Sequence, residues 1–277
     1  MKRLLAILAH PDDESFGSGG TLSKYAREGV DVHICIATDG AAGSVEEGFE
    51  DARDDLVTVR AKELETAVDI IGATLHNLDY RDSGYINDPA NEHPDAFIQC
   101  DETEAICKVV KLIRELKPDI VITHDETGGY FHPDHIQCWK ITTPAFYAAA
   151  DPEQFPELGL PPHQAERLYY SAFSNTWVKI FRGMARLRGQ DPTKMGRNKD
   201  IDMTRLGMDP KKIHARIKYN PYWDIKMEAS KAHASQGGGN FARRLPAWFQ
   251  KRWLATESFM REYPKVPDGF RETDLFP

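Results

Sequence analysis

Leu4-Leu5-Ala6-Ile7-Leu8-Ala9 is an unbroken apolar run with no polar residue at alternate positions. Both faces of a strand formed there need covering, which is the mark of a parallel strand held between two helical layers. Val32–Thr38, Leu75–Leu78 and Ile120–Thr123 read as three more strands. Helical patterns separate them: Gly20–Glu28 ending at Gly29, Glu50–Ile71 ending at Gly72, and Glu102–Leu116 stopping before Pro118. This alternation predicts an α/β chain, a Rossmann-like three-layer fold with a mostly parallel sheet.

Further along, strands around Leu168–Phe173 and Ile213–Tyr219 continue the sheet, and Trp223–Ser235 returns to a helix that Gln236-Gly237-Gly238-Gly239-Asn240 breaks. The stretch Met184–Pro210 is charged and without clear period, and reads as a mobile insertion; Leu245–Tyr263 reads as an aromatic-rich closing segment. A chain of 277 residues can bury one large core. The expectation is a single domain over 1–277, with 151–215 a variable elaboration and 241–277 closing it.

Lys plus Arg is 35 and Asp plus Glu is 43, a net charge of −8, so no global field attracts nucleic acid or an anionic membrane. A small neutral or cationic substrate fits better. No stretch approaches the length of a membrane span, and the first strand starts almost at Met1 without a leader pattern, giving the expectation of a soluble, cytoplasmic protein. Cys35, Cys100, Cys107 and Cys138 have no CxxC spacing and read as reduced packing residues.

Two strands end in clusters that carry chemistry. Leu4–Ala9 runs into His10-Pro11-Asp12-Asp13-Glu14, and the strand over Ile120–Thr123 is soon followed by Gly128-Gly129-Tyr130-Phe131-His132-Pro133-Asp134-His135. Ligands of open α/β sheets bind beyond the carboxyl ends of the strands, so the fold can bring residues from both clusters together. His10, Asp13 and His135 then make a site of two imidazoles and one carboxylate for a divalent ion with a position left open for water. Asp12, beside the ion but not bound to it, is placed to take a proton as general base, and His132 to give one to a leaving amine. Taken singly, either cluster also reads as a helix N-terminus, with Pro at its first position and acids in its first turn.

Ala9-His10-Pro11-Asp12-Asp13-Glu14 and His132-Pro133-Asp134-His135 resemble the two motifs of the LmbE-like, or PIG-L, zinc-dependent de-N-acetylases, and the Gly-Gly-Tyr-Phe-His-Pro-Asp-His block is most similar to the mycothiol branch, its N-acetylglucosaminyl-inositol deacetylase and conjugate amidase. The resemblance implies an LmbE-like fold and zinc, or iron in its place (Zn2+ or Fe2+), on His10, Asp13 and His135. It implies Asp12 as base and His132 as acid or oxyanion partner. Tyr130 would polarise the amide carbonyl, and Asp134 would orient a neighbouring imidazole. It also implies that Arg60, in Arg60-Ala61-Lys62-Glu63-Leu64, and Asp82, in Arg81-Asp82-Ser83-Gly84, contact the substrate; the spacing alone reads Arg60 as a helix-surface ion pair with Glu63 or Glu65.

Ala232-His233-Ala234-Ser235-Gln236 resembles a late segment of the family, with His233 read as packing or support outside the catalytic set. His124 reads as support for the ligands, and His93-Pro94-Asp95 as a turn. Gly17-Ser18-Gly19-Gly20 imitates a dinucleotide loop but starts too far from the end of its strand. The implied activity is removal of an acetyl group from an N-acetylglucosamine-type amide. The alternatives are cleavage of a larger, mycothiol-like thiol-conjugate amide and, in another class, a non-catalytic metal-containing sugar-binding protein. The expected partner is a small amino-sugar substrate, with neither nucleic acid nor membrane, and a homo-oligomer is compatible with the family.

Overall fold

The computed structural model describes residues 1–194, 202–239, 251 and 254–277 of the chain. Seven strands form one sheet: β1 (Arg3–Leu8), β2 (Asp31–Thr38), β3 (Thr74–Tyr80), β4 (Ile120–Thr123), β5 (Arg167–Ser171), β6 (Ala215–Lys218) and β7 (Thr256–Tyr263), in the order β3-β2-β1-β4-β5-β7-β6. The first five pair in parallel, while β7 runs antiparallel between β5 and β6. Eight helices accompany them among the described residues: α1 (Asp13–Phe16), α2 (Gly19–Arg27), α3 (Leu56–Ile71), α4 (Glu102–Leu116), α5 (Gly128–Phe131), α6 (Pro133–Ala150), α7 (Asn175–Leu187) and α8 (Trp223–Ala232).

The alternation of side chains along β1 explains the three layers. Leu4, Ala6 and Leu8 join Leu22 of α2, Leu64 and Val68 of α3 and Ala229 of α8 in one core. Leu5, Ile7 and Ala9 face the other way, onto Val109 and Ile113 of α4 and Ile141 and Ala145 of α6. Each fully buried leucine or isoleucine contributes roughly 1.5–3 kcal/mol, so the uninterrupted run of β1 anchors both layers at once. Local chemistry marks the helix ends: the Asp101 side chain accepts from Glu104 N at the start of α4, and Gly72 closes α3 with φ 85°. The buried Arg114 of α4 donates to the carbonyls of Ala148, Ala149 and Asp151 and so ties down the end of α6.

The expected strands are present, with β3 longer than anticipated at both ends. Met184–Pro210 is not irregular throughout, because α7 continues its helical pattern through Met184 to Leu187. The remainder of that stretch and the first part of Leu245–Tyr263 fall partly on residues 195–201, 240–250, 252 and 253, outside the described residues. No helix among the described residues is long and apolar enough to cross a membrane. All four cysteines are free thiols.

The sheet has its switch point at β1 and β4. From β1 the chain winds outward through β2 and β3, then returns to the opposite side of β1 with β4. The loops leaving β1 and β4 therefore diverge and open a crevice at their carboxyl ends.

Candidate active site

Three donor atoms from the two loops converge in that crevice. His10 Nδ1 is 3.2 Å from His135 Nε2, His135 Nε2 is 3.3 Å from Asp13 Oδ2, and His10 Nδ1 is 3.6 Å from Asp13 Oδ2. Tetrahedral bonds of about 2.0–2.1 Å separate ligand atoms by roughly 3.3 Å, so the three fit one divalent ion. His124 and His132 lie close: Asp13–His124–His135 and His10–His132–His135 also bring one donor atom each within 4.8 Å. Ala9 N donates to His124 Nε2 at 3.2 Å and Asp134 N to His132 Nδ1 at 3.2 Å, which engages one nitrogen of each ring with the backbone.

Local folding places each of these groups. After β1, the backbone turns sharply at Asp12, whose φ of 132° is rare for a residue with a side chain and costs about 1–3 kcal/mol. Ser15 N and Phe16 N both donate to Asp12 O, starting α1. In the second loop, Gly128 has φ 58°, and a Cβ there would lie 2.8 Å from that of His135. Pro133 then starts α6 with His132 as its N-cap. The motif is thus a helix N-terminus and part of the cluster at once.

The balance of charge favours a cation. Asp12, Asp13, Asp82 and Asp134 converge, with Arg60 as their one guanidinium among the described residues. Burial alone would discharge His10, but Asp82 and hydrogen bonds to Asp13, Asp134 and Asp82 raise its pKa well above the ordinary value. Burial pushes the Asp13 carboxyl up, and His135 with the surrounding imidazole hydrogen bonds overcomes this and holds it well below the usual range. Burial brings His135 down to about 4 and Asp12 up to about 7, the latter against the opposing pull of Arg60. Burial and the neighbouring His10 and His135 keep His132 neutral; since its Nδ1 accepts from the backbone, its proton sits on Nε2. Burial also raises the Tyr130 hydroxyl, which stays a donor.

The remaining groups sit behind these. The far nitrogen of His10, Nε2, lies 3.1 Å from Asp134 Oδ2 and 3.6 Å from Asp82 Oδ1, and Asp134 is fixed in turn by Ser83 N at 2.9 Å. Tyr130 packs its ring edge against His135, centroids 5.1 Å apart. Arg60 corrects the surface ion-pair reading. It is 2% exposed and forms no ion pair with Glu63 or Glu65, donating instead to Pro11 O at 2.5 Å, Gly40 O at 2.8 Å and Asp12 Oδ2 at 3.0 Å. Its position was legible after all, for Arg60, Leu64, Ala67, Val68 and Ile71 share the buried face of α3. Asp82 accepts from Gly84 N and Ala42 N, so it too is engaged by the protein.

The decoys resolve by their surroundings. His93-Pro94-Asp95 lies in a turn beside an open cleft of about 720 Å³. The α2 entry holds no room for a phosphate: Gly20 N and Thr21 N donate to the buried carboxylate of Glu257, at 3.0 and 2.7 Å. Sequence reading left one buried pair unassigned, Glu14 Oε1 and His233 Nε2, 2.6 Å apart.

A three-layer sheet with a His and Asp cluster beyond its switch point defines an α/β protein equipped to hold a divalent ion. The family model described as PIG-L, GlcNAc-PI de-N-acetylase, matches residues 5–146. A 1D-myo-inositol 2-acetamido-2-deoxy-alpha-D-glucopyranoside deacetylase of Thermobifida fusca is 34% identical over 99% of this chain and 99% of its own length. The enzyme of that name from Thermobispora bispora is 35% identical over 85% of this chain and 79% of its own. The chain therefore belongs to the PIG-L, or LmbE-like, family. Solved structures share the fold: the N,N'-diacetylchitobiose deacetylase of Pyrococcus horikoshii has a TM-score of 0.61 at 20% identity, covering 94% of this chain and 83% of that one. The 4-carboxy-2-hydroxymuconate hydratase of Pseudomonas putida KT2440 has 0.63 at 15% identity, covering 97% and 99%. A deacetylase and a hydratase on one fold leave the chemistry to be argued from the site.

Proposed function

We propose that this protein is a metal-dependent hydrolase that removes the acetyl group from an N-acetylglucosamine-type amide. The observation that carries the reading is the triangle of His10 Nδ1, Asp13 Oδ2 and His135 Nε2, with sides of 3.2, 3.3 and 3.6 Å, at the switch point of the sheet. The names of the full-length relatives support the substrate class. These three residues would hold the ion, zinc or iron(II). When bound, a divalent ion there acidifies a water toward neutrality and draws electrons from an amide carbonyl.

The side chains do the rest. His10 gives its outer N–H to Asp134, which fixes the ring and leaves Nδ1 as the ligand atom. Asp12, held by Arg60, takes the proton of the attacking water. The Nε2–H of neutral His132 and the hydroxyl of Tyr130 donate to the carbonyl oxygen as it gains negative charge. Asp12 then returns the proton to the departing nitrogen, and acetate and a free amino sugar leave. Asp82, 3.6 Å from His10, and Arg60, 3.0 Å from Asp12, set the positions of those two residues beside the sugar.

The test is release of acetate and primary amine from N-acetylglucosamine and its glycosides, with metal content measured before chelation, after it, and after restoring zinc or iron(II). Turnover that leaves and returns with the metal is the expected result. Protein that never takes up a stoichiometric metal would overturn the reading.

A further inference from the structure

The geometry points to His233 as a positioning residue for Asp12, acting through Glu14, so that the end of α8 sets the base of the reaction. Glu14 and His233 are both fully buried. The two oxygens of Glu14 are divided: Oε1 takes His233 Nε2 and Ser15 Oγ, each at 2.6 Å, while Oε2 accepts the backbone N–H of Asp12 at 3.0 Å. That N–H belongs to the residue whose φ is 132°. A backbone so far from its ordinary range persists only where its surroundings fix it.

His233 is itself immobilised. Gln236 N and Gly238 N both donate to its carbonyl, and the Phe16 ring packs edge-on with centroids 5.8 Å apart. The same segment reaches a second element behind Asp12, because Ser235 N and Oγ donate to Glu63 at 2.8 and 2.7 Å. Glu63 stands one turn after Arg60 on α3, and Arg60 holds the Asp12 carboxylate. One short stretch following α8 thus braces the Asp12 backbone through Glu14 and backs the helix that holds its side chain.

The physical reason is the cost of an isolated buried charge. A carboxylate without exposure is kept where it is by a charged or N–H partner, and loses its place when that partner goes. Replacing His233 by an apolar residue leaves Oε1 with Ser15 Oγ alone, lets the Glu14 carboxylate shift, and loosens its hold on Asp12 N. A glutamine at the same position carries an N–H close to the place of Nε2 and preserves the contact.

The inference rests on Asp12 as the base, and the experiment separates the two. His233→Leu, His233→Gln, Asp12→Asn and the double variant Asp12→Asn/His233→Leu are compared as zinc-loaded protein on N-acetylglucosamine, with zinc content and kcat and KM measured separately. His233→Leu is expected to lower kcat about 10–100-fold, the scale of a lost outer partner, with KM and one zinc per chain unchanged. His233→Gln is expected to stay within about fivefold, and in the Asp12→Asn background His233→Leu should cost less than about twofold, since a group acting through Asp12 has nothing left to act on. Wild-type kcat in His233→Leu, equal losses with leucine and glutamine, or fully additive losses would overturn the positioning role while leaving the base assignment intact. Full turnover in Asp12→Asn would overturn the base assignment itself. Should His233→Leu fail to fold, Glu14→Gln replaces it, with the same loss of kcat expected and wild-type kcat again overturning the inference.

Discussion

At the N-terminal ends of its strands the sheet carries Arg3, Asp31, His33 and His76; at the C-terminal ends of β1 and β4 it is followed by His10, Asp12, Asp13, His124, His132 and His135. Both sets are histidine and aspartate at close range. In the first, the groups form a single line, each joined to the next: Arg3 Nε to Asp31 at 2.7 Å, Asp31 to His33 Nε2 at 3.2 Å, His33 Nδ1 to His76 Nε2 at 3.0 Å. In the second, Asp13 lies against His10, His124 and His135 at once, His10 meets Asp82 and Asp134 as well, and the turn that presents Asp12 and Asp13 is strained. Local neutrality makes a tie between strands; concentrated, imperfectly neutralised charge in a crevice makes a cation site. Residue type alone does not separate the two ends.

The largest effects lie at the C-terminal end and sharpen the contrast within it. His135→Ala removes a ligand, so stoichiometric metal and turnover are both expected to disappear. Asp12→Ala should keep one metal per chain and lose about 10²–10⁴ in kcat, the usual worth of a general base. Metal analysis beside steady-state kinetics distinguishes them. Equal loss of metal from both variants would erase the division between Asp12 and Asp13.

An intermediate effect is expected at Gly128. Its φ of 58° and the 2.8 Å approach of an added Cβ to that of His135 make Gly128→Ala a displacement of a ligand by the backbone. Unfolding in denaturant should show a loss of about 1–3 kcal/mol, with weaker metal affinity at the same time. Reduced stability with unchanged affinity would show that the loop and the ligand move independently.

Much of this end was legible because its signals are local. Unbroken apolar runs gave β1 and β4, the order of strands and helices gave the parallel sheet, and the rule for crevices joined His10 to His135 across the chain. What escaped depends on distant partners. The antiparallel insertion of β7 between β5 and β6 has no mark in the local pattern of either neighbour. Glu14 and His233 are 219 residues apart, and nothing near either residue announces the other. Glu257 fills the start of α2 from the far end of the chain, so a glycine-rich entry that imitates a phosphate loop is closed by a residue its own sequence does not contain. Arg60 lay between these cases: charge suggested the surface, while its place on the apolar stripe of α3 indicated the interior.

The smallest effect expected is at the other end, and it has a definite sign. Burial and the neighbouring His33 lower the His76 pKa, so the folded protein resists protonation there more than the unfolded chain does. Stability from this source is complete above the ordinary histidine value of about 6.5 and is lost as pH falls through the lowered one. The Asp31 carboxyl, pushed up by burial but held down more strongly by hydrogen bonds from Arg3 and His33, loses its contribution only in more acid solution. Both groups are partly exposed, so each effect should stay under about 1 kcal/mol. The difference in unfolding free energy between His76→Asn and wild type, measured at pH 7.5 and again at pH 5.5, cancels the pH dependence of metal binding common to both proteins. The variant should gain relative to wild type on acidification while its turnover at pH 7.5 stays within about twofold, as surface substitutions away from a site normally do. A fall in turnover as large as that of Gly128→Ala would mean that the two ends of the sheet are coupled, and that the chain of contacts from Arg3 to His76 does more than tie strands together.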